Sequence, residues 1–362
     1  MIPVNRLVAV LPFLVTFGSA RAAEIVTVAG NGTKGFAGDG GAAVDAQLNG
    51  PTGVLRGPDG SLYICDTTNH RIRKVAPDGL ITTLAGTGEK GWSGDGGPAT
   101  AAKLDEPYEV RLDAAGNVYW VERLSHTVRR LETKTGLIRT IAGTGAAGFS
   151  GDGGKATLAQ LSDPHSIGFD AAGDLYIADV RNHRLRKVDM KTGMISTFSG
   201  TGEKVLPPDG APIAGSPLSG PRALAFDEAG NLWLALREGH SVCRLDLAKG
   251  TIHHVAGTGT KGSTGDGGPA KEATFNGPKG IAVAPNGDVY VVDTENQAIR
   301  RIDPKKGTID LVAGPALESG LARPHGVFVD DKGDVIIGDT ETHRVRVIRP
   351  PATPAREEQK TR

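Results

Sequence analysis

Short runs of β-branched and aromatic residues, each about five residues long, alternate along the chain with polar turns that contain Gly, Asp or Asn. Such runs predict β-strands, because these side chains favour extended backbone and the intervening residues favour chain reversals. One stretch shows the pattern clearly, with strands predicted over 175–179, 182–188 and 194–198 and polar turns between them. Each stretch of this kind predicts a four-stranded antiparallel meander.

The meander is repeated six times. Each unit opens with an apolar residue, two variable positions, Pro, two more variable positions and a run of β-formers. The units begin at Leu48, Leu104, Leu161, Leu218, Phe275 and Leu321, with intervals of 56, 57, 57, 57 and 46 residues. One four-stranded sheet buries too little apolar surface, so the six sheets are expected to share a core around a channel. The sequence predicts an all-β fold, a six-bladed β-propeller with four-stranded antiparallel blades.

The two ends of the repeat region complement each other. The sixth unit stops near Pro350 without a fourth strand, whereas segment 25–30 is a fourth strand without a unit and matches segment 138–143. We expect the N-terminal strand to complete the sixth blade, which closes the ring and leaves no open sheet edge. A solenoid is the alternative repeat architecture, and it gives no reason for such complementary ends.

The N-terminus has the pattern of a secretory signal peptide over residues 1–22. Arg6 precedes an apolar run over 7–17, and small residues at Ala20 and Ala22 suit cleavage after Ala22. The alternative, a membrane anchor, needs about 20 apolar residues. We therefore expect an exported protein, periplasmic, secreted or extracellular. It would consist of one propeller domain over 23–350 and a disordered tail over 351–362, with no transmembrane segment after cleavage.

The composition argues against nucleic-acid binding and against a disulfide. Lys and Arg number 41, as do Asp and Glu, so the net charge is zero and no strong basic field favours nucleic acid. Glycine is abundant, at 52 of 362 residues, and is assigned to the many turns. Cys65 and Cys243 fall in units one and four, on opposite sides of the ring, so no disulfide between them is expected.

The turn after the second strand carries a recurring motif. Segments 69–72, 182–185 and 342–345 read Asn-His-Arg-Ile, Asn-His-Arg-Leu and Thr-His-Arg-Val, and each follows a strand that ends in Asp. This motif, recurring in register over nearly the whole chain after residue 22, resembles the NHL repeat. The resemblance implies a six-bladed propeller, a fold used mainly for binding and sensing and also by some enzymes.

Two sets of repeated residues invite a metal-binding interpretation. One residue per unit falls in the turn after strand two: His70, His126, His183, His240, Gln297 and His343. They are spread around the ring, so we expect each to bond the turn of its own blade and not a shared ion. The second set belongs to Gly-Asp-Gly-Gly loops: Asp39, Asp95, Asp152 and Asp266. Each loop supplies one carboxylate whereas calcium takes about 6 to 8 oxygens, so a turn-stabilising role is favoured over calcium.

The channel mouth is the predicted binding site. The start of strand one and the end of strand two lie on the same face of an antiparallel pair, so two rings of side chains are expected around one mouth. The first ring is Thr52, Tyr108, His165, Arg222, Lys279 and His325, and the second is Asp66, Glu122, Asp179, Leu236, Asp293 and Asp339. Repetition fails in the first ring, where almost every side chain binds or ionises. The predicted ligand-binding residues are Tyr108, Glu122, His165, Asp179, Arg222, Lys279 and His325, and functionless surface variation is the alternative.

Two ring members resemble metal ligands of an enzyme family. Pro164-His165 and Pro324-His325 are similar to the segments that carry zinc-binding histidines in the peptidyl-hydroxyglycine amidating lyases. The resemblance implies a third histidine at the end of a strand two, but these positions hold Asp, Glu or Leu. Glu122 or Asp179 would have to replace it. Two histidines without a metal in a polar mouth are the alternative.

Three functions remain open from the sequence. The first is a binding or recognition module that takes a small polar ligand, a peptide or a protein, without a required cofactor. The second is a lyase or hydrolase dependent on zinc or calcium, with His165 and His325 as ligands and Arg222 stabilising developing negative charge. The third is a structural role in a cell-surface assembly. Nucleic acid is not an expected partner of any of them.

Overall fold

Six antiparallel sheets are arranged in a ring in the computed structural model, which describes residues 24–349. The first strand of each sheet contacts the first strands of its two neighbours, so these six strands form the wall of the central channel. Within each sheet the chain then runs outward, strand by strand. The prediction of an all-β, six-bladed propeller is confirmed.

Each blade has four main strands, which follow one another from the channel outward. Blade one has Pro51–Arg56, Leu62–Asp66, Arg71–Val75 and Ile81–Ala85. Blade two has Pro107–Leu112, Val118–Glu122, Thr127–Glu132 and Leu137–Ala142. Blade three has Pro164–Phe169, Leu175–Asp179, Arg184–Asp189 and Met194–Ser199. Blade four has Pro221–Phe226, Leu232–Leu236, Ser241–Asp246 and Thr251–Ala256. Blade five has Gly280–Val283, Val289–Asp293, Ala298–Asp303 and Thr308–Ala313. Blade six has Gly326–Val329, Val335–Asp339, Arg344–Arg349 and, as its fourth strand, Glu24–Ala29.

Short elements complete the blades. The strands Gly154–Lys155 and Gly268–Pro269 pair with the outermost strands of blades three and five. Single-turn 3-10 helices lie in the loops between blades at Ala43–Asp45, Ala99–Ala101, Ala156–Leu158, Ala270–Glu272 and Pro315–Leu317. Others form the turn between strands two and three, at Thr67–Asn69, Val180–Asn182, Thr294–Asn296 and Thr340–Thr342.

The N-terminal strand closes the ring, as predicted. Glu24–Ala29 pairs antiparallel with Arg344–Arg349, and Ile25 lies opposite Ile348. Val26 and Val28 pack against a cluster shared by blades six and one, and Ile25 packs against a cluster of blades five and six. The two ends of the chain thus form one blade and join it to both neighbours.

Apolar clusters lie between neighbouring blades. Val121 of blade two and Ile177 of blade three, for example, belong to one buried cluster. The second strands of five blades are buried along their whole length, and in blade five only Tyr290 is partly exposed, because each face of an inner blade region packs against an adjacent blade. Cys65 and Cys243 are buried and unbridged, which confirms the prediction that they do not pair.

A buried arginine of the third strand ties each Gly-Asp-Gly-Gly loop to its blade. In blade one Arg73 is fully buried, with Nη2 2.6 Å from Asp39 Oδ1 and Nη1 3.2 Å from Asp66 Oδ2. The same triad recurs as Asp95–Arg129–Glu122, Asp152–Arg186–Asp179 and Asp266–Arg300–Asp293. The loop aspartates therefore bind a strand, not only their own turn as the sequence suggested. Paired charges of this kind are the usual condition for burying an arginine.

Histidines at the turn after strand two link neighbouring blades. The backbone N–H of Glu106, which leads into blade two, donates to Nδ1 of His70 in blade one at 3.2 Å. Equivalent bonds join His126 to Asp163, His183 to Gly220, His240 to Gly277 and His343 to Gly50. The expectation that each side chain bonds its own turn is therefore wrong. The left-handed backbone at these positions, with φ of 53° at His70, directs the ring toward the next blade.

These bonds predict a pH-dependent contribution to stability. Burial is the main cause that lowers the pKa of His70 below its usual value near 6.5, and the neutral ring is the acceptor. In the unfolded chain the pKa is near 6.5. The unfolded state therefore binds more protons below that pH, so the contribution is present above about pH 6.5 and is lost as the pH falls through the folded-state pKa.

We expect His70→Gln to cost about 1 kcal/mol at pH 7.5, the usual net value of one hydrogen bond, and clearly less at pH 5. Gln is a suitable replacement because Gln297 adopts the same left-handed conformation in blade five. The measurement is urea unfolding of both proteins at the two pH values, so that other titrating groups cancel in the difference. A cost that does not change with pH would contradict the role of the neutral ring.

Two expectations concern residues outside the described range. The signal peptide over 1–22 and the disordered tail over 351–362 lie outside the described residues 24–349. Within 24–349, no helix combines the length and apolar character that a membrane crossing requires.

Candidate functional site

The first ring of side chains meets in one open cavity at the channel mouth. Its volume is about 640 Å³, and all six ring positions line it: Thr52, Tyr108, His165, Arg222, Lys279 and His325. In blades one to four, the ring residue follows the proline that opens the first strand. In blades five and six, the ring residue directly precedes the first strand. The repeat register therefore predicted correctly which residues lie together here.

Arg222 and Tyr108 form a contact across the cavity. Arg222 Nη2 donates to the Tyr108 hydroxyl at 2.6 Å, and its Cζ lies 4.6 Å from the centre of the Tyr108 ring. The residue is only 4% exposed. Among residues 24–349, no carboxylate lies within ion-pair distance of it, although burial of an unpaired guanidinium is costly. Arg222 therefore presents to the cavity a positive charge without a direct ion-pair partner, and Asp163 and Glu109 act on it only at longer range.

His165 and His325 are held as neutral acceptors. Nδ1 of His165 lies 2.7 Å from the Asp163 carbonyl oxygen, and Nδ1 of His325 lies 2.9 Å from that of Arg323. A carbonyl oxygen only accepts, so Nδ1 carries the proton in each ring and Nε2 keeps its lone pair. Burial first, then the nearby cations, holds the pKa of both rings well below the usual value. Each histidine offers Nε2 as an acceptor at neutral pH.

Lys279 has a carboxylate partner. Its Nζ lies 2.6 Å from Oε1 of Glu295, which also binds Arg323 Nη2 at 3.2 Å. Burial outweighs this pairing and lowers the pKa of Lys279 to about 8. The two cations outweigh the burial of Glu295 and lower its pKa to about 2. Lys279 is thus a charged group at neutral pH whose charge is largely balanced by Glu295.

Three residues that line the cavity were not among the binding residues predicted from the sequence. The position before the ring proline is Gly50, Gly220 or Gly277 in three blades, all with positive φ. In the other blades it holds a charged residue in the same left-handed conformation: Glu106 (φ 52°), Asp163 (φ 55°) and Arg323 (φ 51°), all of which line the cavity. Since glycine meets the backbone requirement, strained charged residues here indicate a use for their side chains. Their alternation with glycine was the available signal.

The rim of the mouth is mostly basic. Arg123 pairs with Glu106 and lies 3.5 Å from Asp163, which also accepts from Arg181 at 3.2 Å. The charged side chains that line the cavity are seven basic and three acidic ones: Arg123, Arg181, Lys204, Arg222, Arg237, Lys279, Arg323, Glu106, Asp163 and Glu238. A cavity with this balance attracts anions.

The second ring lies elsewhere than expected. Glu122 and Asp179 are fully buried inside their blades and do not line the cavity. Asp179 accepts from the Ser162 backbone N–H at 2.7 Å and from Asn182 Nδ2 at 2.7 Å. Glu122 accepts from the Asp105 backbone N–H and pairs with Arg129. These carboxylates hold the entry loop of their own blade, and the structure does not bring them together with the two histidines.

His165 and His325, the metal ligands suggested by the sequence, both line the cavity, whereas Glu122 and Asp179 do not. Over 24–349, no group of three His, Cys, Asp or Glu side chains is placed to hold an ion. The Tyr108 ring contacts both imidazoles, with centroid distances of 4.8 Å to His165 and 6.0 Å to His325. Arg222 and Lys279 are also cations, which repel a metal ion. The contacts at the mouth are those of a polar, mostly basic cavity.

The fold and this mouth define a six-bladed β-propeller with a polar, cationic cavity at one end of its channel. Two family models match the chain. The teneurin NHL domain matches residues 19–93 and 258–316, and the NHL repeat matches residues 161–188 and 321–348. The chain thus carries NHL-repeat matches on a six-bladed β-propeller, as the turn motif predicted.

Curated relatives share part of their length with this chain. A protein named SUPPRESSOR OF QUENCHING 1, chloroplastic, of Arabidopsis thaliana is 29% identical over 298 residues, covering 78% of this chain and 27% of the relative. NHL repeat-containing protein 2 of Bos taurus is 26% identical over 302 residues, covering 74% of this chain and 40% of the relative. The chain therefore spans well under half the length of these relatives.

Solved structures share the fold at low sequence identity. An auxiliary nutrient binding protein from Bacteroides thetaiotaomicron has a TM-score of 0.65 at 16% identity, covering 90% of this chain and 76% of that one. Virginiamycin B lyase from Staphylococcus aureus has a TM-score of 0.51 at 18% identity, covering 80% of this chain and 79% of that one. At these identities the likeness shows the fold.

Proposed function

We propose that this propeller is a binding module whose site is the channel mouth and whose ligand carries a carboxylate. The observation that carries the proposal is Arg222, a buried guanidinium that faces the cavity and has the Tyr108 hydroxyl as its polar contact. A ligand carboxylate would supply the missing counter-charge, and a charge-assisted bond to arginine is among the strong hydrogen bonds. The solved nutrient binding protein with this fold supports a binding role.

The remaining groups narrow the class of ligand. Nε2 of His165 and Nε2 of His325 accept hydrogen bonds, so the ligand is expected to bring O–H or N–H donors as well as its carboxylate. Sugar acids and peptides with a free carboxylate carry both kinds of group. The side chains of Glu106 and Asp163 at the rim would accept from further hydroxyl or amine groups.

We also propose that the protein acts outside the cytoplasm. The proposal rests on the signal-peptide pattern of residues 1–22. A nutrient-type ligand in the periplasm or outside the cell is consistent with a preformed, open cavity that needs no cofactor.

The direct test compares each carboxylate ligand with its own amide. We expect D-glucuronate, or a peptide with a free C-terminus, to bind in isothermal titration, and D-glucuronamide or the amidated peptide to bind far more weakly. Arg222→Met should lower the affinity roughly 30-fold or more, because loss of one partner of a buried charge pair costs about 2 to 5 kcal/mol.

Lys134→Met is the matched control, since it removes one positive charge from an exposed turn outside the mouth. It should leave the affinity unchanged. Equal binding of acid and amide, or full affinity in Arg222→Met, would refute a carboxylate site at Arg222.

A metal-dependent lyase or hydrolase at the same mouth is the second candidate. The observation in its favour is that His165 and His325 both keep Nε2 free while Nδ1 binds a carbonyl, the usual arrangement of a histidine ligand. Elemental analysis for zinc and calcium, on the purified protein and on a His165→Ala, His325→Ala variant, separates the two candidates. Stoichiometric metal that disappears in the variant supports the second.

A further inference from the structure

One space beside the third strand is filled by an arginine in three of the six blades. In blade one Arg71 lies against the ring of Phe36, with Cζ 3.6 Å from the ring centre, and donates to the carbonyl oxygens of Asn69 at 3.0 Å and Thr87 at 2.6 Å. In blade three Arg184 and Phe149 form the same pair, 3.8 Å apart. We call this space, between the start of strand three and the loops on either side of the blade, the arginine slot.

Three more blades fill the slot, one with an arginine, one with a tryptophan and one with a leucine. Blade six uses Arg344, which donates to the Asn31 carbonyl oxygen at 3.1 Å. Blade two has Thr127 in place of the arginine, and Trp92 reaches over to contact Gly145. Blade four has Ser241 there, and Leu206 contacts Gly259. In each of these blades a loop glycine lies directly against the side chain that fills the slot. A Cβ on that glycine would collide with the filling side chain.

Blade five leaves its slot empty. Ser263 stands where blades one to three have an aromatic residue, Ala298 stands in place of Arg71, and Ala316 replaces the glycine at 88. All three line an open cavity of about 220 Å³. The three changes occur together in blade five, where Ala316 lies in the 3-10 helix Pro315–Leu317 and not in the left-handed conformation of Gly88.

The empty slot has an unbalanced negative charge. In blade one the carboxylates of Asp39 and Asp66 face two arginines, Arg71 and Arg73. In blade five Arg300 alone faces Asp266 and Asp293. The cluster is therefore one positive charge short, and the missing charge is that of the residue replaced by Ala298.

One carboxylate oxygen at this cavity also lacks its usual donor. In blade one Thr83 Oγ1 donates to Asp39 Oδ2 at 2.7 Å, and Thr197 does the same for Asp152 in blade three. Leu311 occupies that position in blade five and lines the cavity. Arg300 Nε donates to Asp266 Oδ1 at 2.9 Å, and within 24–349 Oδ2 of Asp266 accepts no hydrogen bond. This oxygen is left for a donor that enters from solvent.

We propose that the arginine slot of blade five binds the guanidinium of an arginine side chain presented by a peptide or protein partner. The cavity supplies the space, Asp266 Oδ2 the charged acceptor, and the backbone carbonyl of Asn296 the acceptor equivalent to that of Asn69. The chain's own arginines occupy this geometry in three other blades, which defines the chemistry of the occupant. This site is independent of the ligand at the channel mouth.

The test uses N-acetyl-arginine amide as probe and N-acetyl-citrulline amide as its uncharged counterpart of the same shape. With alanine methyl groups labelled, NMR titration should show saturable shifts at Ala298 and Ala316 for the arginine probe. The citrulline probe should bind at least about tenfold more weakly, because it loses the charge-assisted bond. Equal binding of the two probes, or no saturable shift, overturns the proposal.

Three variants locate the site. Asp266→Asn should weaken the arginine probe at least about tenfold, and Leu311→Thr should weaken it by returning a donor to Asp266. Asp310→Asn, which removes an exposed carboxylate from the same blade, should leave the affinity unchanged. A variant with Ser263→Phe, Ala298→Arg and Ala316→Gly restores the filled slot and should abolish binding. Undiminished affinity in Asp266→Asn would overturn the proposal even if the filled variant failed to fold.

Discussion

A chain that begins at Asn31 should lose about 5 kcal/mol of unfolding free energy, and about 10 °C in melting temperature, relative to one that begins at Glu24. Removal of Glu24–Ala29 exposes the outer edge of Arg344–Arg349 and uncovers the surfaces that Ile25, Val26 and Val28 cover. Three half-buried apolar side chains contribute about 1 kcal/mol each, and the lost strand pairing contributes the rest. For a domain of this size, 1 kcal/mol corresponds to about 2 °C.

The tryptophans show whether the whole ring is affected. Trp120 lies in the cluster between blades one and two, and Trp233 lies in the cluster between blades four and five, so neither reports only on the closing strand of blade six. If the ring unfolds as one unit, tryptophan fluorescence and far-UV circular dichroism should shift together to the lower temperature. An unchanged fluorescence transition would show that the N-terminal strand only covers an edge. Removal of residues 351–362 is the control, and it leaves the closing strand in place.

The fold was predictable because the repeat carries the same information six times. A run of β-formers in one unit is ambiguous, but register across six units fixes strand order and blade number. The closing strand followed from two incomplete ends that match each other. What the repeat could not give is the direction of the turn histidines, because their left-handed backbone turns the ring of His70 toward blade two.

The placement of side chains at the channel mouth was predictable only for the first ring. His165 follows Pro164, and Pro164 is the residue paired with Asp179 across the two strands. Successive residues of a strand point to opposite sides, so Asp179 does not share the direction of His165. A register irregularity right after Pro164 strengthens this separation. Chain position places both residues at one end of the blade, but the pleat decides which of them faces the channel.

Loss of a buried arginine of the third strand is expected to cause the second large loss of stability. Arg186 is fully buried and has four partners: Asp152, Asp179, and the carbonyl oxygens of Gln160 and Ser150. Burial raises the pKa of Asp179 to about 6 even with this arginine present. Without this arginine, Asp179 would be a buried carboxylate that has lost its ion-pair partner.

We expect Arg186→Met to cost about 3 to 5 kcal/mol at pH 7.5, the usual penalty for removing one member of a buried pair. The cost should shrink as the pH falls, because protonation removes the charge of Asp179. A raised folded-state pKa means that the folded state binds the proton first, so the penalty is complete above that pKa and relieved toward pH 4. Urea unfolding at pH 7.5 and pH 5 measures both values.

Blade four shows how the chain itself avoids that cost. Leu236 and Cys243 occupy the positions of Asp179 and Arg186, so both charges are absent together and the pair is apolar. A variant of blade three with Asp179→Leu and Arg186→Cys should therefore lose clearly less stability than the sum of its two single changes, by about 2 kcal/mol or more. Part of the loss should remain, because Asp179 also accepts from Ser162 and Asn182. Strictly additive losses would mean that the triad contributes through its separate hydrogen bonds and not as a compensated pair of charges.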